Sequence, residues 1–288
     1  MPPLASIASA SAQPRTQGLE VMARHLLGTL LRTESVNKEY IAFLHSLGMT
    51  TCQLCRVNHQ YLSGEDGKIR STELVELLQA FAMPPCSLFL HAPGGIVNPK
   101  LRTNNMLHIA RQMRWAKQYG IALLACHIGE VPESKDEFYY QFIGDLQELA
   151  HLAEECQQQF LFETGPMRVE WLQEILTDAG SDALGINFDP ANMLIYNLPN
   201  SPRQMIAALA ARIKVMHCKD AVRPPAGESR GKETVLGQGE TEFAEVLPLL
   251  FAAGFTGPLI IEREIPIGPE QRRDITQAMT LLQALNQD

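Results

Sequence analysis

From residue 24 onward the chain repeats one pattern eight times: a short apolar, β-prone segment, then a longer segment with apolar residues at helical spacing. A strand that is always followed by a helix must cross over before it pairs again, so the alternation calls for a parallel sheet with crossover helices. The units read HLLGTLLR with SVNKEYIAFLHSLG, TTCQLCRV with STELVELLQAFA, CSLFLHAPGG with the helix around LRTNNMLHIARQMRWAKQYG, and IALLACHIGE with DEFYYQFIGDLQELAHLAEECQQQ. They continue as FLFETGP with RVEWLQEILTDAG, LGINFD with a helix opened by Ser201 and Pro202, IKVMHCKD with TEFAEVLPLLFAAG, and PLIIERE with QRRDITQAMTLLQALNQ.

Local punctuation agrees with this division. Ser35 is placed to cap the first helix, Gly48, Gly120 and Gly180 to stop three others, and Pro84 and Pro85 to end the second. Pro202 sits where a first helical residue has no N–H partner to lose. The stretch after strand 7, RPPAGESRGKETVLGQGE, reads as a charged, glycine-bearing loop. Eight units in roughly 265 residues match an α/β protein of one (β/α)8 TIM barrel, about 250 residues being typical. An open doubly wound sheet is the runner-up, and it would leave some unit without a partner strand.

The opening MPPLASIASASAQPRTQG has no acidic residue before Glu20, and it reads as a flexible N-terminal extension, residues 1–18, ahead of a barrel over 19–288. It lacks the charge and apolar core of a secretory signal, and a transit peptide would have a single Arg to support it. A net charge of -8 gives no footprint for nucleic acid or an anionic membrane. No apolar run approaches the roughly 18 residues of a membrane span. Six cysteines scattered without a framework suit a reducing compartment, and a cytoplasmic location is expected. A small polar or metal-held substrate fits this chain better than a polymer, and homo-oligomerisation is left open.

In a barrel, functional side chains stand where strands run out into βα loops. Those ends carry His91, His127, Glu163, Asp189, His217 and Glu262. Glu163, Asp189, His217 and Glu262 follow one another at intervals of about one β/α unit. They offer a divalent cation three carboxylates and one imidazole, a mostly hard set suited to one Mn²⁺, Mg²⁺ or Co²⁺, with Zn²⁺ also accommodated. Lys219 shares the strand face of His217, since residues two apart point the same way.

GINFDPAN, VMHCKD, VLGQGETEF and GPLIIERE, in this order and spacing, resemble the sugar phosphate isomerase/epimerase group of the xylose isomerase-like barrel superfamily. The resemblance spans about residues 24 to 285 and is most specific in the C-terminal half. It implies a carbohydrate substrate, with Glu163, Asp189, His217 and Glu262 as metal ligands and Glu163 and Glu262 as the proton-transferring pair. It implies substrate-binding positions at His91 and His127, which in some members hold further metals, and at Arg223; Asn192 and Lys219, close in sequence to Asp189 and His217, are expected to bind substrate as well. The chemistry expected is removal of a proton α to a carbonyl, with an enediolate stabilised by the metal and one base on each face.

Three rivals are weighed. An endonuclease-IV-like repair enzyme uses the same barrel with three metals, but Asn192 stands where that family has a histidine, and Gly231-Lys232-Glu233 replaces its Asp-x-His pair. A dehydratase of keto-sugars or keto-inositols begins with the same proton abstraction. A non-catalytic sugar-binding protein would not need two facing carboxylates. Within the epimerases, Val169 stands where ketose 3-epimerases often carry a second carboxylate. The Cys52-x-x-Cys55 pair points to opposite strand faces and has no partner pair, so it reads as structural.

Overall fold

Strands whose two faces are both apolar must be covered on both sides, and here that is achieved by closure: the last strand meets the first. The computed structural model describes residues 25–286, and the expected extension over residues 1–18 lies outside them. In chain order the elements are β1 (Leu27–Arg32), α1 (Lys38–Ser46), β2 (Thr51–Cys55), α2 (His59–Leu62), α3 (Gly64–Ala80), β3 (Pro85–Phe89), α4 (Arg102–Gln118), β4 (Leu123–Cys126), α5 (Glu137–Cys156) and β5 (Gln159–Glu163). Then follow α6 (Val169–Ala179), β6 (Leu184–Phe188), α7 (Pro190–Ile195), α8 (Pro202–Leu209), β7 (Ile213–Cys218), β8 (Asp220–Val222), β9 (Lys232–Thr234), α9 (Phe243–Ala252), β10 (Leu259–Ile261) and α10 (Pro269–Leu285).

β1 to β7 and β10 form a closed barrel in sequence order, and β10 pairs parallel with β1 through Leu27 opposite Leu259 and Gly28 opposite Ile260. The expected (β/α)8 barrel is the observed one, and the open-sheet alternative is excluded by that seam.

The barrel interior is layered by the two-residue period of its strands. One tier holds Ala125, Leu161, Val215 and Ile260, all fully buried, with Leu30 packed against them. Burying each of the larger aliphatic side chains there contributes about 1.5–3 kcal/mol. Two residues further along the same strands stand His127, Glu163, His217 and Glu262. On these strands the tier beneath the mouth is therefore apolar and the next one ionisable, by the alternation of each strand alone. A larger apolar layer, with Phe160, Phe162, Phe188 and Trp171, fills the space between barrel and helices.

Several local expectations hold. Ser201 and Gln204 form a reciprocal capping box on α8 with Pro202 at its first turn, and Gly180 ends α6 at φ +67°. Others change. Asn37, accepting from the Tyr40 N–H, caps α1, and Ser35 instead ends a short 3-10 turn. Helix α3 begins at Gly64, well before the expected Ser71, because its first turns are charged and carry Gly64 and Gly67 rather than an apolar stripe. The region between Asp189 and Ser201 contains α7, and the loop after β7 contains the antiparallel β8–β9 pair.

The Asp220 carboxylate organises that loop. It accepts from the backbone N–H groups of Ala221, Gly237, Gly239 and Thr241 and from the Thr241 hydroxyl. Gly239 has to be glycine: a Cβ there would sit 2.2 Å from Asp220 Oδ1.

Candidate metal centre

Glu163, Asp189, His217 and Glu262 come together at the C-terminal mouth of the barrel, each buried, with one ligand atom apiece lying within 4.8 Å of the others. His217 Nδ1 is the hub, 2.9 Å from Glu163 Oε1, 2.8 Å from Glu262 Oε2 and 3.9 Å from Asp189 Oδ2. None of these approaches has the direction of a hydrogen bond. His217 Nδ1, Glu163 Oε2, Asp189 Oδ2 and Glu262 Oε2 are all buried without a hydrogen-bond partner. Orphaned buried polar atoms are costly unless something pairs them, and three carboxylates around one imidazole nitrogen are a donor set for a divalent cation.

The residues that hold these ligands were not all visible in the sequence. The other nitrogen of His217, Nε2, lies 2.7 Å from Gln53 Oε1. Gln53 is aimed by its own amide, which donates to Ser87 Oγ at 2.9 Å and to Asn187 Oδ1 at 3.4 Å. With Gln53 Oε1 accepting, the ring keeps its proton on Nε2 and turns Nδ1 toward the carboxylates. All three polar side chains lie inside the barrel with no exposure. A glutamine within the apolar strand TCQLC is the signal that could have revealed this support.

Asp189 is fixed from two sides. Its Oδ1 accepts from the Asn192 N–H as the N-cap of α7. Its backbone is clasped by Thr164, whose Oγ1 accepts from Asp189 N–H and donates to Asp189 O. The Asn192 side chain donates to Thr164 O at 3.1 Å, so it braces the two ligand-bearing strand ends against each other.

Lys219 is buried with its Nζ 3.6 Å from Asp189 Oδ2, 3.6 Å from Glu262 Oε2 and 3.0 Å from Glu264 Oε2. Burial pulls its pKa down, but Glu262 and Asp189 hold it well above the ordinary range, so it is a fixed ammonium. Burial pushes Glu262 up, yet Lys219 and then His217 hold its carboxyl well below the usual range. Glu163 is also lowered, with His127 overcoming the effect of burial. Both glutamates are therefore ionised at neutral pH.

A cleft of about 320 Å³ opens on one side of this cluster, lined by Glu262, His127, His91, Phe89, Arg32 and Arg56 among others. His127 Nδ1 lies 2.7 Å from Glu163 Oε2, and its ring stands between that buried carboxylate and the cleft, with 58% of its side chain exposed. Phe89 packs its ring against both His127 and His217. His91 is exposed on the cleft wall, its backbone held by the buried amide of Gln112. Arg223 is not part of the lining: its guanidinium donates to Leu198 O and Asn197 Oδ1 on the loop after α7.

The discounted cysteines behave as expected in position. Cys52 packs in the outer core while Cys55 faces the cleft. Burial, and then Glu262, push the Cys55 thiol up to about 12, which leaves it protonated and a poor nucleophile.

A family model described as a xylose isomerase-like TIM barrel matches residues 41–285. Among solved structures, a xylose isomerase domain protein from Planctomyces limnophilus is 28% identical, with a TM-score of 0.84 over 91% of this chain and 98% of its own. A xylose isomerase-like TIM barrel protein from Mycobacterium smegmatis, in complex with magnesium, is 17% identical, with a TM-score of 0.70 over 90% and 97%. D-psicose 3-epimerase from Clostridium cellulolyticum H10, with D-tagatose, is 14% identical, with a TM-score of 0.70 over 91% and 99%. No curated protein matches the chain by sequence. No described helix is long and apolar enough to cross a membrane.

Proposed function

The chain belongs to the xylose isomerase-like TIM barrel family, and from that premise we propose that it is a divalent-metal-dependent isomerase or epimerase of a small carbohydrate. The observation that carries the reading is the convergence of four buried side chains, each with a ligand atom within 4.8 Å of the others, at the edge of a cleft. The cleft volume, about 320 Å³, lies at the small end of the roughly 300–1,000 Å³ of ligand sites and suits a single sugar.

Glu163, Asp189, His217 and Glu262 would hold the cation. When bound, it supplies Lewis acidity that draws charge off the substrate oxygens as an α-proton leaves. The proton itself is the work of this chain's carboxylates. Glu163 rises from β5 and Glu262 follows β10, with β6 and β7 between them on the wall, so the two reach a substrate across the mouth from different sides. One glutamate, as the carboxylate, takes the α-proton, and the other, after taking up a proton from solvent, delivers it to the opposite face of the same carbon, which inverts it. Delivery to the adjacent carbon gives an isomerase instead.

His127 keeps Glu163 ionised and covered until a substrate occupies the cleft. Lys219 supplies a permanent positive charge beside Asp189 and Glu262, which limits the repulsion among three carboxylates. Phe89 and the aliphatic tier below exclude water from the floor. Asn192 acts through Thr164 on the ligand backbones.

An endonuclease-like use of three metals is disfavoured, because this is the one cluster of such ligands among the described residues and Glu233 is engaged by Arg263 and the Glu264 N–H. The test is a panel of ketoses, aldoses and keto-inositols with Mn²⁺, following solvent deuterium at the α-carbon. Exchange together with an epimeric or isomeric product supports the reading. Loss of water from the product would make it a dehydratase, and no exchange with any member would remove the proton-abstraction chemistry altogether.

A further inference from the structure

Eight strands end at the mouth, and the layering assigns one inward side chain to each. Six of those ends carry or precede residues already described. The end of β1 carries Arg32, two residues above the interior Leu30 and therefore directed into the mouth of the barrel on the same face. Arg32 pairs in register with Cys55, which also faces the cleft, and its side chain lines the cleft with Glu262. The seam register of β1 with β10 sets Thr29 opposite Ile261, so its continuation sets Leu30 beside Glu262. Arg32 stands two residues further up, about 6–7 Å along the strand direction, which is close to the length of a short sugar chain.

The charges around the cleft are otherwise paired. Arg263 is held by Glu233 and Asp274, and Glu264 is held by Lys219. Arg56 meets Glu34 at 2.8 Å in an exposed pair. Arg32 has no carboxylate within 4.0 Å and no hydrogen-bond partner among the described residues, although it is half-buried.

Its neighbour Arg56 adds an independent feature. This non-glycine residue sits at φ +62°, a conformation that costs energy and persists only where the surroundings enforce it. The enforcement is visible: the Thr33 hydroxyl donates to Arg56 O at 2.9 Å and fastens the β2 end to the β1 end. That link keeps the two arginines side by side on one wall of the cleft.

We propose that Arg32, supported by Arg56, is the receptor for an anionic group on the substrate, a phosphate ester or a carboxylate, at the end of the sugar remote from the metal ligands. A guanidinium presents two parallel N–H donors to such a group and stays charged under all working conditions. The substrate class is thus an acidic or phosphorylated sugar rather than a neutral one. This assignment rests on the isomerase or epimerase reading for its substrate, but not for its test.

Two measurements separate the two ideas. The first is calorimetric binding of inorganic phosphate and of acetate to the Mn²⁺-loaded protein and to Arg32→Gln. The variant is expected to bind the anion at least about tenfold more weakly, since charge-assisted hydrogen bonds are lost, and Arg32→Lys is expected to fall between. Equal binding by the wild type and Arg32→Gln would overturn the subsite, whatever the enzyme does.

The second is kcat/KM for a ketose phosphate, a hexuronate and the matching neutral ketose. A preference for the phosphate or for the carboxylate names the source of the anion. In either case Arg32→Gln is expected to collapse the anionic-to-neutral ratio about tenfold or more. A ratio near one in the wild type, or one unmoved by the substitution, overturns the proposal while leaving proton exchange intact. Absence of exchange with all three sugars defeats the isomerase reading, and the anion-binding result still decides the subsite.

Discussion

His217 and Gln53 share one hydrogen bond across the inside of the barrel, 2.7 Å from Nε2 to Oε1, and that bond decides which ring nitrogen faces the carboxylates. Without Gln53 the imidazole could present either tautomer.

Replacing Gln53 by Leu keeps the volume but removes the acceptor. Outer partners of metal-binding histidines are typically worth about 10–100-fold in metal affinity, and a loss of that size is expected in Mn²⁺ titrations. Circular dichroism should show an intact fold. Unchanged affinity would mean that the ring is oriented by the carboxylates alone.

Glu163→Gln and Glu262→Gln should each lower turnover by about 10²–10⁴-fold, the usual range for a lost proton-transfer group. The two differ in a way that a mere ligand defect would not reproduce. If the enzyme is an epimerase, each variant keeps α-proton exchange with the epimer whose own base survives and loses it with the other. Metal content measured alongside separates loss of the ion from loss of the base. Full turnover in both variants would reject these roles.

Metal binding should be linked to protons. In the protein without the ion, burial lowers the His217 pKa, but Glu262, Asp189 and Glu163 hold it well above the ordinary imidazole value. A raised pKa means that the proton is present at pH 7, and a cation at Nδ1 must expel it. Calorimetry in buffers of different ionisation enthalpy should therefore report release of close to one proton per Mn²⁺. Apparent affinity should weaken by about tenfold for each pH unit of acidification, and zero release would show the ring to be neutral beforehand.

Asp220 makes the stability prediction. Its carboxylate takes five donors while almost fully buried. Asp220→Ala strands those donors and should cost about 3 kcal/mol. A fall in Tm of roughly 6–12 °C is the expected reading. Since the β8–β9 pair and the turn through Gly239 hang on this group, limited proteolysis should open first between residues 223 and 240. A Tm within about 1 °C of the wild type would show that the loop is held by other contacts.

The barrel was legible because two periods are written along the whole chain, 2 in the strands and 3.6 in the helices, and because strand ends face one mouth. That same logic delivered Glu163, Asp189, His217 and Glu262 together, and brought His127 and Lys219 against them. What escaped notice depended on contacts between distant segments. Gln53 is a single polar residue in an apolar strand, and its partners Ser87, Asn187 and His217 lie on other strands. The β8–β9 pair joins residues separated by a charged loop with no alternation of its own. Asp189 is at once a candidate ligand and the N-cap of α7, and Pro190 behind it is the one local sign of that helix. Arg32 and Cys55 end strands 1 and 2 and line the cleft, but neither shares the carboxylate-or-histidine pattern of the other strand ends.

The double attachment of Asp189 has a consequence for coordination. Oδ1 is committed to the amide that begins α7, and only Oδ2 faces the cluster. The helix cap thus fixes the plane of the Asp189 carboxylate and leaves Oδ2 as the oxygen it would offer to a cation. Glu163 and Glu262 cap no helix, and their longer side chains would be the ones free to adjust around a cation or a substrate. The aspartate is the rigid hinge-pin of the site, and the two residues proposed to move protons are also the two with room to move.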